Sequence, residues 1–300
     1  MSAPVALFVY NRPGHTRKTV EALLANTLAR QTQLYVFSDA PKNRVASLAV
    51  AEVRSYIRSI TGFKSITIVE RETNFGLARS IIDGVTRLCV ECGRVIVVED
   101  DLVTSPYFLK FMNEGLELYE SDDRVISVHG YVYPVKAPLP ETFFLRGADC
   151  WGWATWKRGW DFFEPDGRSL LQELNAANLT HRFDFDGAHP YCRMLRNQIK
   201  GKNNSWAIRW YASAFLKDKL TLYPGRSLVR NIGTDNSGAH CSTSVMFAGE
   251  MADSPIAIEP IAVEEHEGAR QEIVKFHRTA RRLTPRRVLR KLADMVQRAR

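Results

Sequence analysis

Short apolar runs alternate with longer amphipathic stretches through the first third of the chain. "PVALFVY" (4–10), "TQLYVFSD" (32–39), "KSITIVER" (64–71) and "RVIVVED" (94–100) are rich in aliphatic and aromatic residues and end in polar ones, which predicts strands. Between them lie "GHTRKTVEALLANT" (14–27), "VASLAVAEVRSYIRSI" (45–60) and "GLARSIIDGVTRLCVEC" (76–92). Their apolar positions, such as Val20, Leu23 and Leu24, fall on one helical face. Strand and helix alternating at this interval predict an α/β fold, with a mostly parallel central sheet and helices on both faces. The fourth run holds consecutive aliphatics from Val95 to Val98, the pattern of a strand covered on both sides.

The rhythm changes beyond residue 105. "SPYFLKFMNEGLELYES" (105–121) predicts a helix with Ser105 as its cap and Pro106 in its first turn. "VISVHGYVYP" (125–134) and "TFFLRG" (142–147) read as strands, followed by the aromatic-dense "DCWGWATWKRGWDFF" (149–163). Helices are expected over 169–178 and 205–219, then a short strand from Leu220 and glycine-rich loops. "EMADSPIAIEPIAVEEHEG" (250–268) reads as a linker. The expected organisation is one body over 1–248, with halves 1–104 and 105–248, followed by a linker and basic helical tail over 249–300.

Charge sharpens this division. The net charge is +8, yet residues 270–300 alone carry eleven Lys/Arg against two Asp/Glu, so the body is close to neutral. A neutral body argues against nucleic-acid binding. Among five cysteines only Cys89 and Cys92 form a C-x-x-C, and no second pair has metal-site spacing, so reduced thiols are expected. The N-terminus has no basic start, and no apolar run reaches membrane-spanning length. A cytoplasmic location is expected, with peripheral attachment at the inner membrane face as an option.

In parallel sheets ligands bind beyond the carboxyl ends of the strands. The four predicted strand ends carry Asn11–Arg12, Ser38–Asp39, Glu70–Arg71 and Glu99–Asp100–Asp101, all expected to face one crevice. Three adjacent carboxylates repel and raise one another's pKa. A hard dication such as Mn²⁺ or Mg²⁺, held by one or two carboxylates, would offset that charge and neutralise a departing nucleoside diphosphate. The acids would alternatively favour the N-terminus of the next helix.

The segments "FVYNRP", "FSDAPK", "NFGLARSI", "VVEDDL", "WGWATWKRGW" and "SWAIRWYASAF", in this order, resemble GT-A-fold glycosyltransferases between residues 4 and 242. The likeness runs to the Golgi N-acetylglucosaminyltransferase family that initiates hybrid and complex N-glycans, and to bacterial polysaccharide sugar transferases. It implies a nucleotide-sugar half over 1–104 and an acceptor half over 105–248. By position, Asp101 would be the metal ligand, Asp100 would face the donor ribose or sugar, and Glu99 the transferred sugar. Asp39 would read the base, uracil. Asn11 and Arg12 would line the nucleotide pocket, and Gly76 to Ser80 would approach the donor. Arg79 would meet its diphosphate or sugar, or else be a solvated helix residue; a guanidinium suits phosphate as a fixed bidentate donor.

The chain departs from the Golgi pattern where that family carries a Trp-Asp-Asp-Trp segment with its catalytic base. Here the region reads Trp206-Ala207-Ile208-Arg209-Trp210, and its Arg209–Trp210 pair, expected on the acceptor side, resembles the Arg-Trp end of a motif in processive synthases. Inverting transfer needs a base within reach of the attacking hydroxyl. Asp149 and Asp235 are the candidates, with Asp149 preferred; without a base, retaining chemistry stays open. His240 is a candidate late metal ligand or a surface loop histidine, and His129 is expected in a satisfied core or pocket position. Trp151 and Trp153 are expected near the acceptor, because indole faces stack on sugar rings, with Trp156 and Trp160 buried; the spacing of Trp153, Trp156 and Trp160 also suits one helix face.

The tail "TPRRVLRKLADMVQRAR" predicts a basic amphipathic helix capped by Thr284, suited to an anionic membrane surface or to docking on the body or a partner. The leading expectation is a divalent-metal-dependent, inverting glycosyltransferase moving a hexosyl or N-acetylhexosaminyl group from a UDP-sugar to a glycan or lipid-linked polysaccharide acceptor. A sugar-1-phosphate nucleotidyltransferase and a non-catalytic glycan-binding protein on the same fold are the alternatives.

Overall fold

The computed structural model describes residues 2–233, 247 and 249–282. Its strands are β1 (Val5–Val9), β2 (Gln33–Ser38), β3 (Ser65–Glu70), β4 (Arg94–Glu99), β5 (Leu102–Thr104), β6 (Val125–His129), β7 (Thr142–Arg146), β8 (Trp153–Trp156), β9 (Leu220–Pro224) and β10 (Val229–Asn231). The helices are α1 (Pro13–Leu24), α2 (Ser47–Arg58), α3 (Leu77–Cys92), α4 (Phe108–Leu118), α5 (Lys157–Trp160), α6 (Gly167–Ala176), α7 (Thr180–Phe183), α8 (Tyr191–Ile199), α9 (Trp206–Leu216) and α10 (Glu267–Arg282).

Eight strands form one sheet in the order β3-β2-β1-β4-β8-β6-β9-β7, and β5 pairs with β10 beside it. The β3, β2, β1 and β4 strands are mutually parallel; β8 runs antiparallel between β4 and β6, and β7 antiparallel to β9. This is the mostly parallel α/β architecture expected for a GT-A fold. Val95 to Val98 are fully buried, as the aliphatic run predicts. The α3 helix lies close on the sheet because residue 84 is glycine: a Cβ there would stand 2.7 Å from the Phe8 ring. Cys89 is buried in this layer and Cys92 exposed, and both are free thiols.

Three expectations change. The α4 helix starts at Phe108 rather than Ser105, because the Ser105 N–H donates to Leu228 O at 2.8 Å and ties residues 105–107 to the neighbouring chain. The tryptophan run is a strand at Trp153–Trp156, hydrogen-bonded on both edges, and not one face of a helix. Trp153 is fully buried, with ring centroids 5.5 Å from Trp206, 5.7 Å from Trp210 and 5.9 Å from Trp160. It glues α9 and α5 to the sheet.

The third change concerns the C-terminus. Residues 249–282 are part of the body rather than a linker and tail. Ala252 and Ile256 enter the core, Met251 and Glu265 bridge to Ser227 and Phe144, and α10 buries Ala269, Ile273 and Val274. Arg270, 3% exposed, holds both carboxylate oxygens of Asp186 at 2.6 and 2.9 Å. The predicted helix over 284–300 lies outside the described residues. No helix among the described residues is long and apolar enough to cross a membrane.

Trp153→Ala is expected to cost about 3–5 kcal/mol, as for other large-to-small changes of buried aromatics. Urea denaturation would show this as a lower midpoint at unchanged slope; a midpoint near wild type would contradict the role given to this ring.

Candidate active site

The β1, β2, β3 and β4 strands end on one rim, and their terminal residues meet different fates there. Asp39, 5% exposed, is saturated. Its Oδ1 accepts from the N–H groups of Ala40 (2.9 Å) and Phe75 (2.8 Å), and its Oδ2 from Gly76 N–H (2.8 Å) and Asn74 Nδ2 (3.1 Å). The expected base-reading carboxylate therefore fastens the 74–76 loop at the head of α3. Gly76 sits at φ 71°, a conformation suited to glycine. Glu70 does not turn into the crevice: it pairs with Arg58 on α2 at 2.7 Å. Arg71 pairs with Asp83, and its guanidinium lies over the Phe75 ring at 4.5 Å. Arg79 stacks on the same Phe75 ring, 3.8 Å from its centre. Asn11 is half-buried on the rim after β1.

The acid triplet has found an internal cation. Arg12 Nη2 donates to Asp100 Oδ1 at 2.6 Å and to Asp101 Oδ2 at 2.9 Å. Arg12 Nη1 is buried without a hydrogen-bond partner among the described residues. Burial works against the guanidinium's charge, but the two carboxylates outweigh it and hold its pKa above the ordinary value. One guanidinium does not offset three acids. Burial and the charges of Asp101 and Asp100 push Glu99 up to about 8. Asp100 rises to about 6 through burial, against the pull of Arg12. The backbone beyond β10 seals this corner: Ile232 N–H donates to Asp101 O at 2.8 Å, and a Cβ on Gly233 would lie 2.2 Å from Asp101 Oδ2.

Among the described residues no three His, Cys, Asp or Glu side chains converge as a ready metal cage. A magnesium-class ion at a phosphate site needs only one or two carboxylates besides phosphate and water. The surplus negative charge at Asp101 fits that demand, and the Arg12 contact competes with it.

Asp149 stands on the same rim. β8 pairs with β4 as far as Trp153↔Val97, beyond which the chain turns at Gly152 (φ 66°), so residues 149–151 precede β8 on the Glu99 side, and His129↔Trp153 sets the end of β6 beside it. The Cys150 thiol is raised by burial and then by the charges of Asp149, Glu99 and Asp101, so it lies within electrostatic reach of all three. Asp149 accepts from Cys150 N–H at 2.8 Å and Tyr133 Oη at 3.4 Å. His129 lies behind it, Nε2 at 3.8 Å, with both ring nitrogens unpartnered among the described residues. His129 is thus buried as expected but not satisfied, and burial lowers its pKa to about 4, leaving it neutral. Trp151 is half-buried at this edge, packed 4.7 Å from the Tyr131 ring.

Three of the residues expected at the acceptor are elsewhere. Trp153 and Trp210 are fully buried in the tryptophan cluster, which leaves no face for a sugar. Arg209, 7% exposed, donates to the carbonyls of Ser205 and Pro165, both at 3.1 Å. It borders a cavity of about 570 Å³ between α3 and α9, shared with Arg79 and Arg87 and lined by none of the triplet. Asp235 and His240 lie outside the described residues. Tyr133, His189 and Tyr191, which no sequence motif marks, lie within hydrogen-bonding or electrostatic reach of Asp149. Three residues separate β1 from α1, which leaves no glycine-rich loop of the kind a nucleotidyltransferase uses to hold a triphosphate.

No family model matches the chain, and neither does any curated protein. Solved structures do. The mannosyltransferase PcManGT from Pyrobaculum calidifontis, in complex with GDP-Man and Mn²⁺, matches at 15% identity and a TM-score of 0.34, over 44% of this chain and 35% of that one. S. aureus TarS 1-349 matches at 12% identity and 0.36, over 58% and 49%, and S. aureus TarS at 13% and 0.33, over 49% and 25%. The chain thus spans half or less of the length of each. Superpositions this partial carry no argument about donor, metal or acceptor.

The raised acids predict a pH dependence. Between about 4 and about 8 folded Glu99 holds a proton that the unfolded chain has released, and Asp100 does so up to about 6. Raising the pH through that window strips them, so stability in chelator falls as pH rises. Melting temperatures across this range should show the decline, and Glu99→Gln should flatten it; an unchanged slope in the variant would remove Glu99 as its source.

Proposed function

We propose that the chain is a glycosyltransferase that moves a sugar from a nucleotide donor, UDP-linked, to a hydroxyl of a glycan or lipid-linked acceptor with inversion. The observation that carries this reading is the strand order, which puts residues 149–151 on the Glu99 side of β4 with Cys150 in electrostatic reach of Asp149, Glu99 and Asp101. The triplet side suits a nucleoside diphosphate leaving group. The Asp149 side suits a nucleophile's proton. In the transfer the acceptor oxygen bonds to the anomeric carbon, the bond from that carbon to the diphosphate oxygen breaks, and its electron pair leaves with the nucleotide. The hydroxyl proton passes to Asp149.

Asp101 is the residue that would hold Mn²⁺ or Mg²⁺, which supplies charge neutralisation at the departing diphosphate. Arg12 keeps Asp100 in place and lies where it can meet phosphate oxygens. The Arg12–Asp101 contact favours a second version of the same reading, in which the guanidinium is the principal positive charge and the divalent ion is dispensable. The basic run over 284–300 suits an anionic membrane carrying a lipid-linked acceptor.

Calorimetry with UDP separates these readings. Binding strengthened by Mn²⁺, with that gain lost in Asp101→Ala, is the expected result. Binding indifferent to Mn²⁺ and chelator but lost in Arg12→Met supports the guanidinium version. Absence of nucleotide binding overturns the transferase and leaves a glycan-binding protein. Once a donor is identified, Asp149→Asn should lower transfer by about a hundredfold or more while sparing UDP affinity. Equal loss of both would remove Asp149 as the base.

A further inference from the structure

The structure assigns the aromatic cleft around Asp149 as the subsite for a neutral pyranose ring of the acceptor, with Phe276 of α10 as one stacking face. The assignment rests on the transferase reading above and makes the C-terminal helix part of the binding machinery.

Asp149 is about a quarter exposed and has no cationic partner among the described residues. Its charge acts on the phenols of Tyr133, Tyr191 and Tyr223 and on His129 and His189. Burial lowers His129 and His189 to about 4 and His277 to about 3, so at neutral pH these rings carry no charge. Asp149 therefore supplies a negative charge among uncharged phenols and imidazoles, with Arg193 and Arg281 within electrostatic reach of His189. Such a site can accept hydrogen bonds from hydroxyls, and it repels carboxylate or phosphate substituents.

Its walls are aromatic. Tyr133, Trp151, Phe247 and Phe276 are half-buried and pack ring against ring. Phe276 stands 5.5 Å from the Tyr133 ring and 5.6 Å from Phe247, and Trp151 stands 6.1 Å from Phe247. Behind them His277, 2% exposed, packs 4.8 Å from Tyr133 and 4.6 Å from His189, its Nε2 unpartnered among the described residues. Half-buried rings around an unpaired carboxylate match a sugar, which has apolar C–H faces and hydroxyl edges. The Arg270–Asp186 pair and buried Ile273 and Val274 fix α10, and with it Phe276, against these rings.

Saturation-transfer NMR with methyl glycosides of glucose, galactose, N-acetylglucosamine and glucuronic acid, in the presence of UDP and Mn²⁺, tests the assignment. At least one neutral glycoside should bind and the glucuronide should not. Phe276→Leu, which keeps apolar bulk but loses the ring, should weaken that binding about tenfold, with UDP affinity by calorimetry and the melting temperature unchanged. Phe276→Tyr should restore it. Should Phe276→Leu unfold, Trp151→Leu reads the same cleft from the other side. A protein that binds UDP but no glycoside, or whose glycoside binding ignores both substitutions, overturns the subsite. Loss of UDP binding alone, with ring-dependent glycoside binding kept, overturns the transferase reading and leaves the subsite standing.

Discussion

The guanidinium of Arg12, shared between Asp100 and Asp101, is the contact on which the rim of the sheet depends. Both acids follow a strand buried on both faces, so they enter a region where an unpaired charge is expensive. The pairing joins the end of β1 to the end of β4 and sets the start of α1. It also leaves a deficit, since two carboxylates share one guanidinium, while burial and these neighbours keep Glu99 protonated up to about 8. A rim balanced in this incomplete way is more receptive to a further cation or a phosphate-borne metal than a fully neutralised one.

The second organising fact is the reversal of strand direction at β8. Four parallel strands present their carboxyl ends together. The antiparallel β8 then brings the residues that precede it, 149–151, to the Glu99 side of β4. The cost is steric: β8 lies in the middle of the sheet with its side chains covered on both faces, which is why Trp153 and Trp156 are core and only Trp151 stays at the surface.

The C-terminal helix shows how composition can mislead. Its basic residues suggested a tail, yet Ala269, Ile273, Val274 and His277 follow helical spacing and form a buried stripe. The charges on its outer side belong to a docked amphipathic helix, and Arg270 is buried because Asp186 meets it.

Sequence alone determined the α/β class, the first four strands, the three helices between them, and the edge carrying the acids. Those features follow from local periodicity and from the rule that parallel strands share one direction. The partner of each polar side chain was decided only in three dimensions. Asp39 became a loop fastener because the Phe75 and Gly76 N–H groups, the Asn74 side chain and its own neighbour Ala40 N–H offered it four donors. Arg12 became the counter-ion of the triplet because β1 lies beside β4. Arg209 and Trp210 went inward because α9 packs against the tryptophan core. Hydrogen bonds and burial at these positions depend on chain segments tens of residues away, and no local pattern records them.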